Sequence, residues 1–158
     1  MVRKYPQQPI IGVGGVIFQN DQVLLIKRGK EPALGQWSIP GGVVRVGETL
    51  KEAVVREVRE ETHLEVEVLA LAKVIERIFH EPDGRISYHY VLLDFLCQIK
   101  NGELKADSDA QEACFVPLTE LNNYNLTSAT QEVIHRANLM RQNPSSLCPP
   151  LEIGLFYD

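Results

Sequence analysis

The chain has 158 residues, the size of one ordinary domain. Its make-up, 44% hydrophobic and 23% charged, is that of a globular protein and excludes global disorder. A net charge of −5 argues against a general nucleic-acid-binding surface, and no stretch approaches the roughly 18 apolar residues of a membrane span. Cys97, Cys114 and Cys148 are odd in number and show neither metal-ligand nor redox spacing. Reduced thiols and a cytoplasmic location are therefore expected, in keeping with a start, MVRKYPQQP, that lacks the apolar run of a signal peptide.

Residues 1–9 read as an extended arm, since Pro6 and Pro9 prevent a helix. Ile10 to Phe18 and Val23 to Ile26 are apolar runs separated by Asn20-Asp21, which predicts a β-hairpin. Lys27 to Leu34 reads as a charged loop, after which Trp37 leads into a sharp turn at Pro40-Gly41-Gly42. Thr49 followed by Glu52 is a capping box that starts a helix near Leu50. At about 100° per residue, Leu50, Val54 and Val58 share its packed face, while Lys51, Glu52, Arg59 and Thr62 are assigned to solvent.

Alternating apolar residues from Glu65 to Phe79 predict a strand, closed by the turn Pro82-Asp83-Gly84. Ile86 to Ile99 is apolar on both faces and belongs mid-sheet, covered by helices on each side. A further turn follows at Asn101-Gly102, and Val116-Pro117-Leu118 opens a short helical segment ending near Asn122-Asn123. The last helix is predicted from Ala129 to Met140, capped by Ser128 and Gln131, with Ala129, Val133, Ala137 and Met140 as its core stripe. Residues 1–142 make a single domain on this reading, and 143–158 a proline-containing, irregular tail. The order of elements gives an α/β class with a mixed sheet flanked by helices.

The helix at Leu50 carries an anomaly. Glu57, Glu60 and Glu61 stand at i, i+3 and i+4 and so cluster in space. Glu57 and Glu61 point into the arc of the apolar stripe, where a desolvated carboxylate needs a partner. Glu60 and Glu61 also fall in the last turn, where the helix dipole disfavours anions. Acids placed against both rules point to a hard divalent cation held by oxygen ligands.

From Gly42 the spacing is Gly, five residues, Glu48, seven residues, Arg56-Glu57-Val58, one residue, Glu60-Glu61, one residue, His63-Leu64. This resembles the Nudix box, with His63 where that pattern has glycine. The resemblance implies an α/β/α sandwich and hydrolysis, by water attack on phosphorus, of a nucleoside diphosphate linked to another group. It further implies Mg²⁺ or Mn²⁺ as cofactor, a small-molecule nucleotide as partner, and an assembly that is often a homodimer. Carried over by position, Glu57, Glu60 and Glu61 become metal ligands, joined by the Gly41 carbonyl, with Glu48 near the site. Arg56 orients acids, and its competing reading is a surface i,i+4 pair. A further glutamate comes from a late loop in many members; Glu112 is placed there, ahead of Glu103, Asp107 and Asp109. Members use different glutamates as general base, so that role stays open among Glu57, Glu61 and Glu112.

His63 at a glycine position should cost roughly 1 kcal/mol for a left-handed backbone, although His is tolerated there among non-glycines. His63→Gly is thus expected to raise stability and leave turnover similar. Lys27, Arg28, Lys30 and Arg45 flank the site and could grip phosphates, and Trp37 could stack on a base; solvated loop charges and ordinary packing are the competing readings. His80, His89 and His135 show no ligand spacing.

Similarity of RGKEPALGQWSIPGG to bacterial ADP-ribose-cleaving members favours ADP-ribose or a related nucleotide sugar. Pro82, 18 residues beyond Leu64, lies near where such members carry a proline, and Tyr88, a counterpart in dinucleoside-polyphosphate members, lies further still. Two alternatives are a housekeeping nucleoside triphosphate pyrophosphohydrolase and a non-catalytic nucleotide sensor. Retention of all three box glutamates disfavours the sensor.

Overall fold

In the computed structural model, which describes residues 3–145 and Gly154, a mixed sheet lies between two helices. The Asn20-Asp21 turn joins β1 (Ile10–Gln19) to β2 (Gln22–Arg28), with Asn20 at φ 53°, a left-handed value Asn accepts more readily than most residues. β2 keeps Lys27 and Arg28, which the sequence reading assigns to a loop, because strands flank both of its edges. These are β3 (Trp37–Ser38) and β7 (Ala110–Pro117).

The Pro40-Gly41-Gly42 turn continues into a short strand, β4 (Gly41–Val43), which pairs with β1 at Gly12 to Gly14. β1 pairs with β2 only at Phe18 and Gln19, so β1 gives one edge to two different strands along its length. The long strands β5 (Glu65–His80) and β6 (Ile86–Asn101) form a hairpin across Pro82-Asp83-Gly84, and β6 runs parallel to β1. The order β3-β2-β1-β6-β5 places β6 inside the sheet, as its two apolar faces require.

α1 (Leu50–Thr62) begins at the expected capping box, with Thr49 and Glu52 bonding reciprocally. It packs Ala53, Val54 and Val58 on one face of the sheet against Val13, Ile17, Phe95 and Cys97. α2 (Ser128–Gln142) covers the other face with Val133, Ile134 and Ala137 over Val16, Leu25, Leu96 and Val116. Its cap is not the expected one: Thr127 is N-cap and accepts from the Thr130 backbone, because the helix starts one residue earlier. Six residues, Leu118–Asn123, form the short helical segment after β7 as a 3₁₀ turn. The arm is tied down by the Tyr5 amide, which donates to Ser87 O at 2.9 Å.

One solvent assignment is overturned. Thr62 is fully buried, its hydroxyl donating to Val58 O, and the chain after β6 covers it through Lys105 N–H donating to Thr62 O. The expected tail, with Cys148, lies almost wholly outside the described residues. Among the described residues no helix is long and apolar enough to cross a membrane.

Candidate active site

Packing of Val54 and Val58 on the sheet fixes the roll of α1, and that roll turns Glu57 and Glu61 toward β4. Glu61 is 1% exposed. Its Oε2 accepts from Gly41 N–H at 2.9 Å, and its Oε1 lies 3.8 Å from Arg28 Nη1. Burial pushes its carboxyl up to about 7, against the pull of Arg28 and Gly41; the charges of Glu57 and Asp109 push the same way as burial. Glu57 lays its carboxylate on Gly42, where a Cβ would overlap it, so any larger residue there would have to displace that carboxylate.

Arg56 binds the acids together. Nε and Nη2 donate to the two oxygens of Glu48 at 2.6 and 2.9 Å, Nη1 donates to Glu57 at 2.5 Å and Glu60 at 3.4 Å, and Nη2 also reaches Val43 O at 3.0 Å. The side chain is 16% exposed, so the competing reading of a surface pair does not hold. The Arg56 guanidinium in turn holds the Glu48 carboxyl below its usual range. Glu60 is more exposed and is shared with Arg45 Nη2 at 3.3 Å.

Arg28 Nη1 donates to the Gly41 carbonyl at 3.1 Å, beside a cavity of about 200 Å³. Arg28, Lys30, Trp37, Gly41, Gly42, Asp94 and Asp109 line it; Lys27 and Arg45 do not. Glu112 is not in a loop. It sits on β7 opposite Lys27, exposed and ion-paired with it at 2.9 Å. The unbroken register from Gln22–Pro117 to Lys27–Glu112 puts it there; a bulge follows, Arg28 pairing with Ala110 and leaving Gln111 extra. The late acid whose charge reaches Glu61 is Asp109, which is paired with Lys30 at 2.5 Å. Trp37 packs edge-to-face on Tyr124 at 5.1 Å while lining the cavity.

Among the described residues no three acids converge into a ready-made cage for an ion. The donor chemistry nevertheless suits a hard cation: Glu57, Glu60 and Glu61 offer carboxylate oxygens beside the Gly41 carbonyl. Glu61 is a buried acid whose nearest positive charge is a guanidinium at 3.8 Å, an electrostatic deficit that added positive charge would relieve.

The family model of the NUDIX domain matches residues 8–137. The chain belongs to the Nudix family. It is 42% identical over 113 residues to a protein of Methanocaldococcus jannaschii named ADP-ribose pyrophosphatase, a match covering 72% of this chain and 64% of that one. The chain therefore spans less than two thirds of that relative's length. It is 33% identical over 137 residues to the nucleoside triphosphatase NudI of Escherichia coli K12, covering 78% of this chain and 94% of the relative. The crystal structure of a MutT Nudix hydrolase from Burkholderia pseudomallei superposes with a TM-score of 0.72 at 30% identity, covering 82% of this chain and 98% of that one.

Within this Nudix box, His63 stands at φ 61°, the left-handed value expected of the helix C-cap. Its Nε2 lies 2.8 Å from Asp107 Oδ2, a contact between residues 44 apart that no local pattern announces. An exposed pair is screened by water and contributes little, yet it opposes the backbone cost. His63→Gly alone should accordingly shift the melting point by no more than about 2 °C, at roughly 2–4 °C per kcal/mol. In an Asp107→Ala background the same change should raise it by about 2–4 °C, with unchanged kcat. A fall of the melting point in that background would show that His63 carries some other stabilising contact.

Two further acids line the cavity. Asp109 follows a turn and ranks behind Glu112 on sequence grounds. Asp94 has no place in the box pattern, although a lone acid inside the apolar run YVLLDFL is a readable signal.

Proposed function

We propose that this Nudix domain hydrolyses the pyrophosphate bond of a nucleoside diphosphate linked to a sugar, ADP-ribose being the first choice. The observation that carries this reading is the buried Glu61, bonded to the Gly41 amide beside Glu57, where Gly41 lines a cavity together with Arg3, Arg28, Lys30 and Arg77. Cations suit the phosphates, and flat side chains at Phe79, Tyr90 and Trp37 suit the remainder of a nucleotide.

Glu57, Glu60 and Glu61, with the Gly41 carbonyl, would hold Mg²⁺ or Mn²⁺. Such a cation supplies neutralisation of the developing phosphate charge and a bound water of lowered pKa. Arg56 holds Glu57 and Glu60 in place, and Glu48 fixes Arg56. Arg28 reaches from the acid cluster into the cavity and is the first candidate to meet a phosphate. Glu57 and Glu61 are the candidates for general base; Glu112, committed to Lys27, is not.

The likeness to the archaeal ADP-ribose pyrophosphatase supports the substrate class. The likeness to NudI supports a second reading, a nucleoside triphosphate pyrophosphohydrolase. A panel of ADP-ribose, other nucleotide sugars and nucleoside triphosphates, each with Mg²⁺ and Mn²⁺, separates them. Release of AMP and ribose 5-phosphate from ADP-ribose is the expected result. Cleavage of triphosphates alone would install the second reading, and ADP-ribose bound but uncut would make the domain a sensor.

A further inference from the structure

We infer that Asp94 reads an amino group on the nucleobase of the substrate that enters this cavity. The inference deepens the nucleotide reading above and rests on it.

Asp94 is only 7% exposed, on the central strand β6, in parallel register with Gly14 of β1. A Cβ at Gly14 would overlap Asp94 Oδ1, so the bare backbone of Gly14 is what lets the carboxyl lie across β1. Next to it on the same face, Leu92 lies over Gly12, and Ile39 reaches the same face of Gly14 as the carboxyl. Its immediate neighbours there are therefore apolar; Tyr90 and Phe79 also line the cavity, with the Arg77 guanidinium 5.0 Å from the Phe79 ring centre. Among the described residues the carboxyl has neither a hydrogen bond nor an ion pair, yet it opens into the cavity. Burial pushes it up to about 7, which agrees with a carboxyl that lacks a partner.

A buried carboxyl without a partner costs free energy that a leucine or valine at the same place would not. The neighbouring residues Val91, Leu92, Leu93, Phe95 and Leu96 show that this strand otherwise supplies such side chains. A polar group retained there, facing a cavity, is satisfied by what enters the cavity. An acid repels phosphates, so Asp94 meets the uncharged part of the nucleotide. The N–H donors available on that part are those of the base. A carboxyl accepts from an amino group whether neutral or ionised. Adenine and guanine share this chemistry. Neutral Asp accepts from the adenine amino group and donates to the adjacent ring nitrogen. Ionised Asp accepts two N–H bonds from guanine.

The test is calorimetric, in metal-free buffer, with 5′-monophosphates in pairs that differ only by one amino group. AMP is compared with purine riboside 5′-monophosphate, and GMP with IMP. Wild type should bind the amino-bearing member of at least one pair about tenfold or more tightly, the scale of one lost hydrogen bond to a buried group. In Asp94→Leu the members of each pair should bind alike, and the melting point should not fall, since an unpaired carboxyl has been removed. Asp94→Asn keeps the shape of the side chain. It should retain the AMP preference if adenine is the base read, and lose the GMP preference if guanine is. Equal binding within both pairs in wild type, no binding of any monophosphate, or a preference that survives in Asp94→Leu would overturn the inference. Loss of binding only on removing a ribose hydroxyl would move Asp94 to the sugar and overturn it as well. ADP-ribose hydrolysis is measured separately: turnover with no discrimination within pairs sinks this inference alone. Discrimination without turnover leaves the base contact standing and sinks the hydrolase reading.

Discussion

Glu61→Gln should lose about two to four orders of magnitude in kcat, the scale of removing a group that acts at the reacting centre, and yet melt higher than wild type without metal. The two signs have one cause. Glu61 is buried, and its folded carboxyl titrates near 7 instead of the usual 4.5. Below about pH 4.5 it is neutral folded or unfolded and contributes nothing to the pH dependence. Between 4.5 and 7 the unfolded chain ionises while the folded one does not, so wild-type stability falls as pH rises. Above 7 the penalty is complete, at most about 3 kcal/mol from 1.36 kcal/mol per unit of difference. Glutamine keeps an acceptor for the Gly41 amide and carries no charge, so its melting advantage should open between pH 4.5 and 7 and then level off. Mg²⁺ should shrink or reverse that advantage, because only the carboxylate gains from the cation. Melts of both proteins at pH 5 and pH 8, in chelator and in Mg²⁺, together with kcat, decide the matter. A variant that melts lower than wild type at pH 8 in chelator would refute the electrostatic account.

Arg56→Met has the largest expected effect on stability. Its guanidinium donates to Glu48, Glu57, Glu60 and the Val43 carbonyl, and both Glu48 and Glu57 are about 15% exposed. Without it, these carboxylates face one another with little water. Breaking a buried pair costs about 3–5 kcal/mol, or roughly 6–20 °C at 2–4 °C per kcal/mol. Saturating Mg²⁺ should recover part of the loss by supplying the missing positive charge, and kcat/KM should fall with the disordered acids. Arg56→Lys should recover little, because one ammonium cannot serve both oxygens of Glu48 and reach Glu57 and Val43 as well. A melting point within 2 °C of wild type for Arg56→Met would mean that the carboxylates are better hydrated than their burial indicates.

Much of the acidic helix α1 is legible without coordinates because its rules are local. The capping box needs only Thr49 and Glu52, and the placement of Glu57 and Glu61 beside Val54 and Val58 needs only the helical period. The Nudix pattern lies within one contiguous stretch for the same reason. Errors arose where a distant segment returns. Thr62 reads as a solvent residue on a wheel; residues 105–107 fold back over it, with Lys105 N–H on Thr62 O and Asp107 N–H on Glu61 O. The same segment supplies Asp107 to His63. Analogy of position puts Glu112 in a loop, whereas the regular register of β7 against β2 sets it opposite Lys27.

By itself, then, the chain order determined an α/β class with a mixed sheet, the acidic helix, and its membership of a pattern whose spacing needs no partner elsewhere. Tertiary structure alone decided which acids are buried, what Arg56 holds together, and that Asp94 lies across Gly14 in a cavity. Those outcomes depend on the parallel pairing of β1 with β6 and on the register of β7 against β2, contacts between residues 80 to 95 apart. Side-chain periodicity carries no information about such pairings, because it reports which face a residue occupies and never what lies opposite.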